Sequence, residues 1–450
     1  MGSEVKPSEV DGGRVFRLWW PLAASWILMA MEPTLVIATV SRLEDPKIHL
    51  AAWNSVVFPI SLATEGPIIM MLAAATRLSS SWERYRTVMR YGRIMGAALT
   101  LLHGLIAFTP LYDVVAIDLL GSDPKVIEPA RIGLMLMLPW TFAIGYRRAQ
   151  QGALIRFERS KVVGQGTLVR LAVTGGVLLA LKVFTNLAGT TVAGCGVALG
   201  VTAEAVFAGV RVREIYPALK AQEEGEVIRP GSFARFYGPL ALTPLITLLI
   251  QPLGAGAMNR MPRPLDSVAS WGPVHALVFT MRSVGMAFNE VVVTLVALRG
   301  GRRALIRFGT SLAIITSSII LLVWATPLAG VWFGVVQNIP DELMPVARLG
   351  VGLSFLMPAY QVAQSWFQGL LVHRQQTSAI TEAVLLYFGV AFIALRLGMT
   401  YAERFDINGL SWTLMSFVVA GILQTLYLWW RSRHSAPPTG DTQSLSASGG

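Results

Sequence analysis

The sequence predicts an all-α polytopic membrane protein with twelve transmembrane helices in two six-helix bundles. Of its 450 residues, 54% are hydrophobic and only 14% are charged, against roughly a quarter charged in ordinary soluble domains. The mean hydropathy is +0.56, so lipid must be the solvent for most of the chain. An internal duplication predicts the division into two bundles. The single cysteine, Cys195, excludes a disulfide framework.

Twelve segments are apolar over the length that a membrane helix needs. A bilayer core about 30 Å thick requires roughly 20 such residues. The segments are 17–40, 50–75, 91–110, 131–155, 162–184, 190–212, 236–258, 268–298, 307–326, 346–371, 378–397 and 408–430. Several contain mid-span prolines, which predict kinks. Residues 1–14 form a polar tail without an evident signal peptide, and the composition of residues 431–450 predicts a disordered tail.

The distribution of Lys and Arg predicts the orientation. Twenty-five of the 37 Lys and Arg residues lie in the two termini or in the loops that follow even-numbered segments, and ten lie in the opposite loops. Because short cytoplasmic loops carry the excess of positive charge, we expect both termini in the cytoplasm. The ratio of 31 arginines to six lysines suggests a GC-rich bacterial genome, and we expect the protein in a bacterial inner membrane.

The two halves of the chain repeat each other at a nearly constant offset. Arg17-Leu-Trp-Trp-Pro-Leu22 matches Arg235-Phe-Tyr-Gly-Pro-Leu240, and Gln151-Gly152 matches Gln368-Gly369. Each half has six helices and starts on the same membrane side, so the repeat is parallel with an axis along the membrane normal. We expect bundles at 15–218 and 219–430 that enclose a central cavity, the geometry of alternating-access transport.

Sequence signatures of enzymes and metal sites are missing. The chain has no Gly-x4-Gly-Lys-Ser/Thr phosphate loop, no Gly-x-Ser-x-Gly and no His-Glu-x-x-His, and its five histidines are scattered. We therefore expect no enzymatic activity, no cofactor, no metal and no nucleic-acid partner. The expected partners are a small-molecule substrate and the lipid bilayer, with H⁺ or Na⁺ as a coupling ion. A duplicated chain is self-sufficient, so we expect a functional monomer.

Polar residues within the apolar segments mark the candidate site. An ionisable group in the bilayer costs a few kcal/mol, so each requires an interior partner or a wet cavity. His275, Arg282 and Asn289 recur every seven residues on one helix face. The candidates for substrate binding or coupling are Glu32, Asn54, Glu65, Gln251, His275, Arg282, Asn289, Glu290, Gln361 and Gln364.

Each candidate also has a structural interpretation. Glu32 is a proton or cation site, or a carboxyl group that is neutral by desolvation and hydrogen-bonded to a neighbour. Glu65 is a functional carboxyl group or forms a hydrogen bond at the helix kink. Arg282 contacts an anionic substrate or pairs with a buried glutamate. A structural role is favoured for Glu204 and Glu290. Arg147 and Arg148 are interpreted as anchors at the cytoplasmic edge of the fourth segment, with a role in gating as the alternative.

The chain resembles the multidrug/oligosaccharidyl-lipid/polysaccharide exporter superfamily, and within it the progressive ankylosis branch. The resemblance rests on Met31-Glu32, Thr64-Glu-Gly-Pro67, Pro239 through Arg260, Asn289-Glu290, and Pro139 through Gly152. These short matches are spread over almost the whole transmembrane region. The chain departs from the branch at Glu65, where a small uncharged residue is expected, and in its short Ser/Gly tail.

The resemblance implies a MATE-like fold and a secondary-active exporter of small organic or phosphorylated anions, such as citrate, nucleotides or pyrophosphate. The extra acid at Glu65 favours a first alternative, a proton- or sodium-coupled antiporter of drug cations that uses Glu32 or Glu65 for coupling. A lipid-linked saccharide flippase is a second alternative, although it usually needs a strongly cationic cavity and additional helices. A receptor or membrane scaffold is a third, which the polar stripes on both halves disfavour.

Overall fold

The computed structural model describes residues 10–223 and 227–434, and it confirms the predicted fold class. Twelve helices in this part of the chain are long and apolar enough to cross a membrane. They are α1 (Gly12–Val40), α2 (Pro46–Leu78), α3 (Trp82–Phe108), α4 (Pro124–Arg156), α5 (Ser160–Phe184), α6 (Gly189–Lys220), α7 (Pro230–Met258), α8 (Pro264–Leu295), α9 (Gly301–Ala325), α10 (Asp341–His373), α11 (Ser378–Tyr401) and α12 (Gly409–His434). The membrane side on which α1 begins is called the near face, and the opposite side is called the far face.

The two ends of the helical region lie close to the predicted tails. α1 begins at Gly12, inside the predicted N-terminal tail of residues 1–14, and α12 continues to His434, past the predicted start of the C-terminal tail at residue 431. Residues 1–9 and 435–450 lie outside the described part of the chain, so the disorder predicted for the C-terminal tail stays a prediction.

Five of the spans are interrupted, including α6, in which a 3₁₀ turn, Val212–Ile215, precedes the last α-helical stretch. In α2 a π-helical turn, Trp53–Val57, precedes an α-helical stretch that ends at Glu65, and a 3₁₀ turn starts at Gly66. α4 breaks at Met137 and α10 breaks between Leu353 and Met357, each break next to a proline. Proline cannot donate the hydrogen bond that would continue the helix. α8 breaks at Ala287 without a proline, whereas α1 and α7 continue through theirs.

The duplication seen in the sequence is also present in the helix boundaries. α1 and α7 have the same length and occupy equivalent positions in the repeat, from Gly12 to Val40 and from Pro230 to Met258. α5 and α11 begin at the equivalent residues Ser160 and Ser378. A π-helical turn precedes both α4 and α10, at 114–119 and 330–336. The two bundles therefore share one design, element by element.

Close contact between α2 and α4 depends on a glycine. A Cβ atom at Gly152 of α4 would lie 2.2 Å from the carbonyl oxygen of Leu72 and 2.7 Å from Cβ of Ala75. Neither atom is the end of a flexible side chain, so no rotamer change makes room. Gly152 therefore sets the separation of these two helices, and with it the position of Arg147 earlier on the same helix.

Two arginines form symmetry-related contacts between the halves at the far face. Arg42 follows α1, and its Nη2 donates to the carbonyl oxygens of Val335 at 2.7 Å and Val336 at 3.1 Å. Arg260 follows α7, and its Nη2 donates to the carbonyl oxygen of Asp118 at 2.6 Å. The two arginines occupy equivalent positions in the repeat, and each reaches the π-helical turn of the other half.

Further polar contacts reinforce this closure of the far face. Lys47 Nζ in the first half lies 2.6 Å from Asp266 Oδ1 and 3.2 Å from Glu342 Oε2 in the second. Asn259 Nδ2 donates to the carbonyl oxygen of Leu120 at 2.9 Å. We refer to these bonds and those of Arg42 and Arg260 as the far-face contacts. They hold the far ends of the two bundles together.

Toward the near face one helix of each half packs against the other half. Trp19 Nε1 of α1 donates to the carbonyl oxygen of Val284 in α8 at 2.9 Å. Tyr237 of α7, the repeat equivalent of Trp19, donates its hydroxyl to the carbonyl oxygen of Pro67 in α2 at 2.8 Å. α1 therefore packs against the second bundle and α7 against the first, and both helices run along the junction between the halves.

Replacing Gly152 by alanine is expected to destabilise the protein by about 1–3 kcal/mol, the usual cost of overpacking. The measurement is the thermal unfolding temperature of the purified protein in detergent. Gly164→Ala in α5 is the matched control, because no atom lies within 4 Å of its added Cβ. Equal unfolding temperatures for the two variants would contradict the packing described for α2 and α4.

Candidate functional site

A chain of buried ion pairs runs through the first bundle. Arg170 of α5 lies between two glutamates, with Nη2 3.3 Å from Glu32 Oε2 of α1 and Nη1 3.7 Å from Glu204 Oε2 of α6. Glu204 also accepts a short hydrogen bond from Arg147 of α4. Glu204 is fully buried, and Arg147 and Arg170 are 5% and 8% exposed. Four helices thus contribute alternating charges to one network.

Neutral side chains complete this network. Gln151 Nε2, one turn after Arg147, donates to Glu204 Oε1 at 2.9 Å. Thr174 Oγ1, one turn after Arg170, donates to Glu32 Oε1 at 3.1 Å. Both glutamates therefore accept from a neutral donor as well as from arginine. Hydrogen bonds to ionised groups are stronger than those between neutral groups, so the network holds α1 against the rest of the bundle.

Glycines bring the charged helices close enough to pair. A Cβ at Gly200 of α6 would lie 1.9 Å from Thr174 Oγ1 and 3.1 Å from the carbonyl oxygen of Arg170. A Cβ at Gly196 would lie 2.7 Å from Leu178 Cδ2. Small residues four apart allow two membrane helices to approach closely. The Gly196-x3-Gly200 pair thereby places Glu204 of α6 beside Arg170 of α5.

Glu65 lies apart from this network but within its electric field. It is 4% exposed, at the end of the α-helical stretch just before the Gly66 break. Charge–charge interactions reach it from Arg147, Arg148 and Arg170. The contacts found for the described residues include no hydrogen bond or ion pair to its carboxyl group. With Glu65 and Arg148 included, the interior of the first bundle contains three glutamates (Glu32, Glu65 and Glu204) and three arginines (Arg147, Arg148 and Arg170).

A partly buried arginine, Arg282, lies within α8 of the second bundle. Arg282 of α8 donates from Nη2 to Gln361 Oε1 of α10 at 2.8 Å. Its guanidinium carbon lies 5.8 Å from the centre of the Tyr360 ring. No ion pair to Arg282 occurs among the described residues, and its Nε is buried without a hydrogen-bond partner. Set against the three glutamates and three arginines of the first bundle's interior, Arg282 adds one positive charge that has no glutamate partner.

Aromatic rings extend from Arg282 along the inside of the second bundle. The ring of His275 lies 5.4 Å from that of Trp271 and 5.7 Å from that of Phe279, all on α8. Trp271 also meets Phe417 of α12 edge-on at 5.9 Å. His275, Phe279 and Arg282 are only partly buried. These aromatic rings therefore form a polarisable surface beside the guanidinium group of Arg282.

The structure brings some of the predicted residues together and separates others. Arg282 and Gln361 are in direct contact. Asn54 joins the halves, because its Nδ2 lies 3.4 Å from the carbonyl oxygen of Ala269. Asn289 donates to the carbonyl oxygen of Ser365 at 3.3 Å. Glu290 is exposed and does not belong to either cluster.

Two of the three predicted glutamines, Gln251 of α7 and Gln364 of α10, occupy different surroundings. Gln251 is half-buried in α7. Gln364 is 4% exposed and donates to Gln424 Oε1 of α12 at 3.0 Å. The Gln364–Gln424 pair is the counterpart of Arg147–Glu204 in the first bundle, since each pair joins the fourth helix of its bundle to the sixth. What is an ion pair in one half is a neutral amide pair in the other.

Sequence reasoning misses most of the buried network. It interprets Arg147 as an anchor at the membrane edge, whereas the structure buries this residue and pairs it with Glu204. It assigns no role to Arg170. A usable signal exists, because Arg170 and Thr174 lie four residues apart on one face of an apolar helix. A charge in such a position requires a partner, and Glu204 of the next helix is the available acid.

Comparisons with known proteins agree on the architecture. The chain is similar to an inward-facing MATE-family multidrug resistance transporter of the MOP superfamily, with TM-score 0.58, 13% identity, and 96% and 98% of the two chains covered. For the eukaryotic MATE transporter AtDTX14 the TM-score is 0.67, with 13% identity and 95% and 97% covered. The chain has the MATE fold. Lipid II flippase MurJ shares it, with TM-score 0.65, 12% identity, and 92% and 87% covered.

The similarity of this chain to known proteins is one of three-dimensional structure. No protein-family model matches the chain, and no curated protein does. Within the described residues, no group of three or more His, Cys, Asp and Glu side chains is arranged to hold a metal ion.

Replacing Glu204 by glutamine is expected to destabilise the protein by about 3–5 kcal/mol, because it leaves Arg147 buried without its counter-ion. Adding Arg147→Gln should restore much of the loss, since the second bundle is built with two glutamines at the equivalent positions. The readout is the unfolding temperature in detergent. Glu342→Gln, a change in a half-exposed surface pair, is the control and should shift stability by no more than about 1 kcal/mol.

The double variant decides whether burial of an unpaired charge is the cause. If Arg147→Gln with Glu204→Gln is as unstable as Glu204→Gln alone, the two side chains do not act as a compensating pair.

Proposed function

We propose that this protein is a secondary-active transporter that exports small organic or phosphorylated anions by alternating access between its two bundles. The observation that carries the proposal is the charge balance of the groups inside the two bundles. Three glutamates balance three arginines in the first bundle, and Arg282 in the second has no acid partner. A substrate with negative charge supplies the missing counter-ion.

The chemistry at Arg282 fits such a substrate. A buried charge is costly unless it is paired, so an anion that binds here recovers free energy that the empty site lacks. The guanidinium group is a planar donor that matches carboxylate and phosphate oxygens. Gln361 already occupies one of its Nη atoms, which leaves other N–H groups for the substrate. We place substrate binding at Arg282, with Gln361 and His275 beside it.

The resemblance to the progressive ankylosis branch supports the same class, and it suggests citrate, nucleotides or pyrophosphate. The structural neighbours include a protein described as a multidrug resistance transporter and one described as a lipid II flippase. Their folds are compatible with several substrates, because one fold hosts many functions. The charge balance around Arg282 therefore carries more weight than the names of these neighbours.

The far-face contacts support alternating access. In the described chain they close the far end of the junction between the bundles through backbone carbonyls and surface ion pairs. Contacts of this kind can break and re-form as two rigid bundles rock about a central site. The positive-inside distribution makes the near face cytoplasmic. We infer a cycle in which the far face opens for release outside a bacterial inner membrane.

Arg282→Gln is expected to reduce uptake of labelled citrate or ATP into proteoliposomes by about tenfold or more, because hydrogen bonds to a charged group contribute about 1.5–3 kcal/mol. Arg404→Gln, a change in an exposed far-face turn, is the control and should leave uptake unchanged. Anion uptake that is equal in Arg282→Gln and in the unmodified protein would contradict the proposed site.

Arg42→Gln combined with Arg260→Gln is expected to increase the population with an open far face. The readout is labelling of Ser270→Cys, which is fully buried near the far end of α8, by an impermeant maleimide in a Cys195→Ser background. We expect labelling to be several-fold faster in the double variant. Arg348→Gln is the control, since Arg348 donates to Trp324 of its own half. Unchanged labelling would show that these arginines do not hold the far face closed.

A second candidate, antiport of organic cations driven by H⁺ or Na⁺, is favoured by Glu65. This carboxyl group is buried at the break in α2, where Gly66 touches Leu245 of α7, and it has no hydrogen bond among the described contacts. A site of this kind at the junction of the bundles suits a group that exchanges an ion during transport. Uptake of a lipophilic cation that follows a pH gradient and is lost in Glu65→Gln would establish this candidate instead.

A further inference from the structure

An apolar groove lies on the outer surface of the second bundle, between α9 and α10. Its volume is about 280 Å³. Ile306, Gly309 and Ala313 line it from α9, and Val362 and Trp366 line it from α10. Ile306 is 46% exposed, so the groove opens outward from the bundle. Its surface is that of a site for a hydrocarbon chain.

The groove is a consequence of Gly309. A Cβ at this position would lie 2.9 Å from Phe288 Cε1, so the glycine lets the Phe288 ring of α8 pack beneath α9. Ala313 and Ala363 leave the space above that ring unfilled. Small residues on facing helices thus create a depression with an aromatic floor.

Arginines lie at the near-face end of the groove. Arg302 precedes Ile306 by four residues and Gly309 by seven, so all three lie on one face of α9. Arg303 precedes Ile306 by three residues. On α10, His373 follows Trp366 by seven residues and lies on the same helix face. Arg302, Arg303 and His373 are exposed, and no ion pair to these arginines occurs among the described residues.

The two segments that carry these basic side chains contain no acid, and from α1 the acid Asp11 follows Val10, whose backbone N–H donates to the carbonyl oxygen of Arg299 at 3.0 Å. Residues 296–308 and 366–377 include six basic side chains, counting His373, and neither Asp nor Glu. Along α9, the stretch from Ile306 to Ala313 lies about 6 to 17 Å from Arg302 at 1.5 Å per residue. That depth falls within one leaflet of a hydrocarbon core about 30 Å thick. A headgroup at Arg302 can therefore place its acyl chain in the groove.

We propose that this groove is a binding site for one anionic phospholipid of the near-face leaflet. Arg302 and Arg303 bind the headgroup phosphate, and one acyl chain lies against Phe288 between α9 and α10. The positive-inside rule accounts for the arginines but not for the groove aligned with them. A free phosphate ion has no acyl chain that could occupy the groove. A zwitterionic lipid brings an ammonium group to a surface without a paired carboxylate.

The basic end of the groove differs from the equivalent place in the first bundle. In the repeat, Arg302 corresponds to Tyr85, which is buried and donates its hydroxyl to Gln150 at 2.8 Å. Arg303 and Arg307 correspond to Arg86 and Arg90, both exposed on α3. The first bundle therefore provides a control in which two exposed arginines are removed from the equivalent helix, where a buried tyrosine occupies the position of Arg302.

The test is native mass spectrometry of the purified full-length protein with phosphatidylglycerol, phosphatidylcholine or phosphatidylethanolamine added in detergent. We expect one phosphatidylglycerol to bind more tightly than the other two lipids. Arg302→Gln with Arg303→Gln should weaken its binding by about fivefold for each arginine, and Arg86→Gln with Arg90→Gln should not. Equal effects of the two double variants would overturn the proposal.

Two further measurements distinguish lipid binding in the groove from binding to the arginines alone. Ala313→Phe fills the groove and leaves both arginines in place, and we expect it to weaken phosphatidylglycerol binding to the level of the zwitterionic lipids. Glycerol phosphate, which carries the headgroup chemistry without acyl chains, should not displace the lipid. The groove is not the site if the Ala313→Phe variant keeps the unfolding temperature of the unmodified protein and binds phosphatidylglycerol equally well. The same conclusion follows if glycerol phosphate displaces the lipid completely.

Discussion

The structure depends on one constraint, which is that a charge within the membrane requires an opposite charge or water. The first bundle satisfies it internally. Arg170 lies between Glu32 and Glu204, and Glu204 also pairs with Arg147. Because low polarity strengthens these attractions and makes an unpaired charge costly, the pairs fix how α1, α4, α5 and α6 pack. The second bundle leaves Arg282 without such a partner, and we infer that its function follows from this.

The repeat separates what is structural from what is specific. Features that occur twice include the far-face arginines Arg42 and Arg260, the contacts of Trp19 and Tyr237, and the π-helical turns. These duplicated features join the halves. The charges differ between the halves, because Glu32 corresponds to Ile250 in the repeat and Arg147 corresponds to Gln364. The two halves thus share a symmetric framework of contacts, whereas the charges in their interiors differ.

The sequence predicted much of the fold because hydrophobicity and length determine membrane helices strongly. All twelve segments overlap helices of the structure, and the repeat found in short motifs reappears in the helix boundaries. The breaks in α4 and α10 lie beside Pro139 and Pro358, as local chemistry requires. The break at Ala287 has no such local signal.

The site was harder to predict, because a helix pattern shows which residues share a face but not which helix that face meets. Arg282 and Gln361 were both identified, yet their contact could not be read from spacing. Arg147 lies in the middle of the Leu138–Arg156 part of α4, and its burial depends on α6 and on Gly152 of its own helix. Pairing across helices comes from tertiary packing, which periodicity does not contain.

The most direct test of the central claim is a structure determined with saturating citrate or pyrophosphate. If anion binding completes the charge balance of the interior, the ligand will lie against Arg282 and Gln361, with the Arg147–Glu204–Arg170–Glu32 network unchanged. A ligand that instead breaks the Arg170–Glu32 pair, or a cation bound at Glu65 while Arg282 stays empty, would contradict that claim.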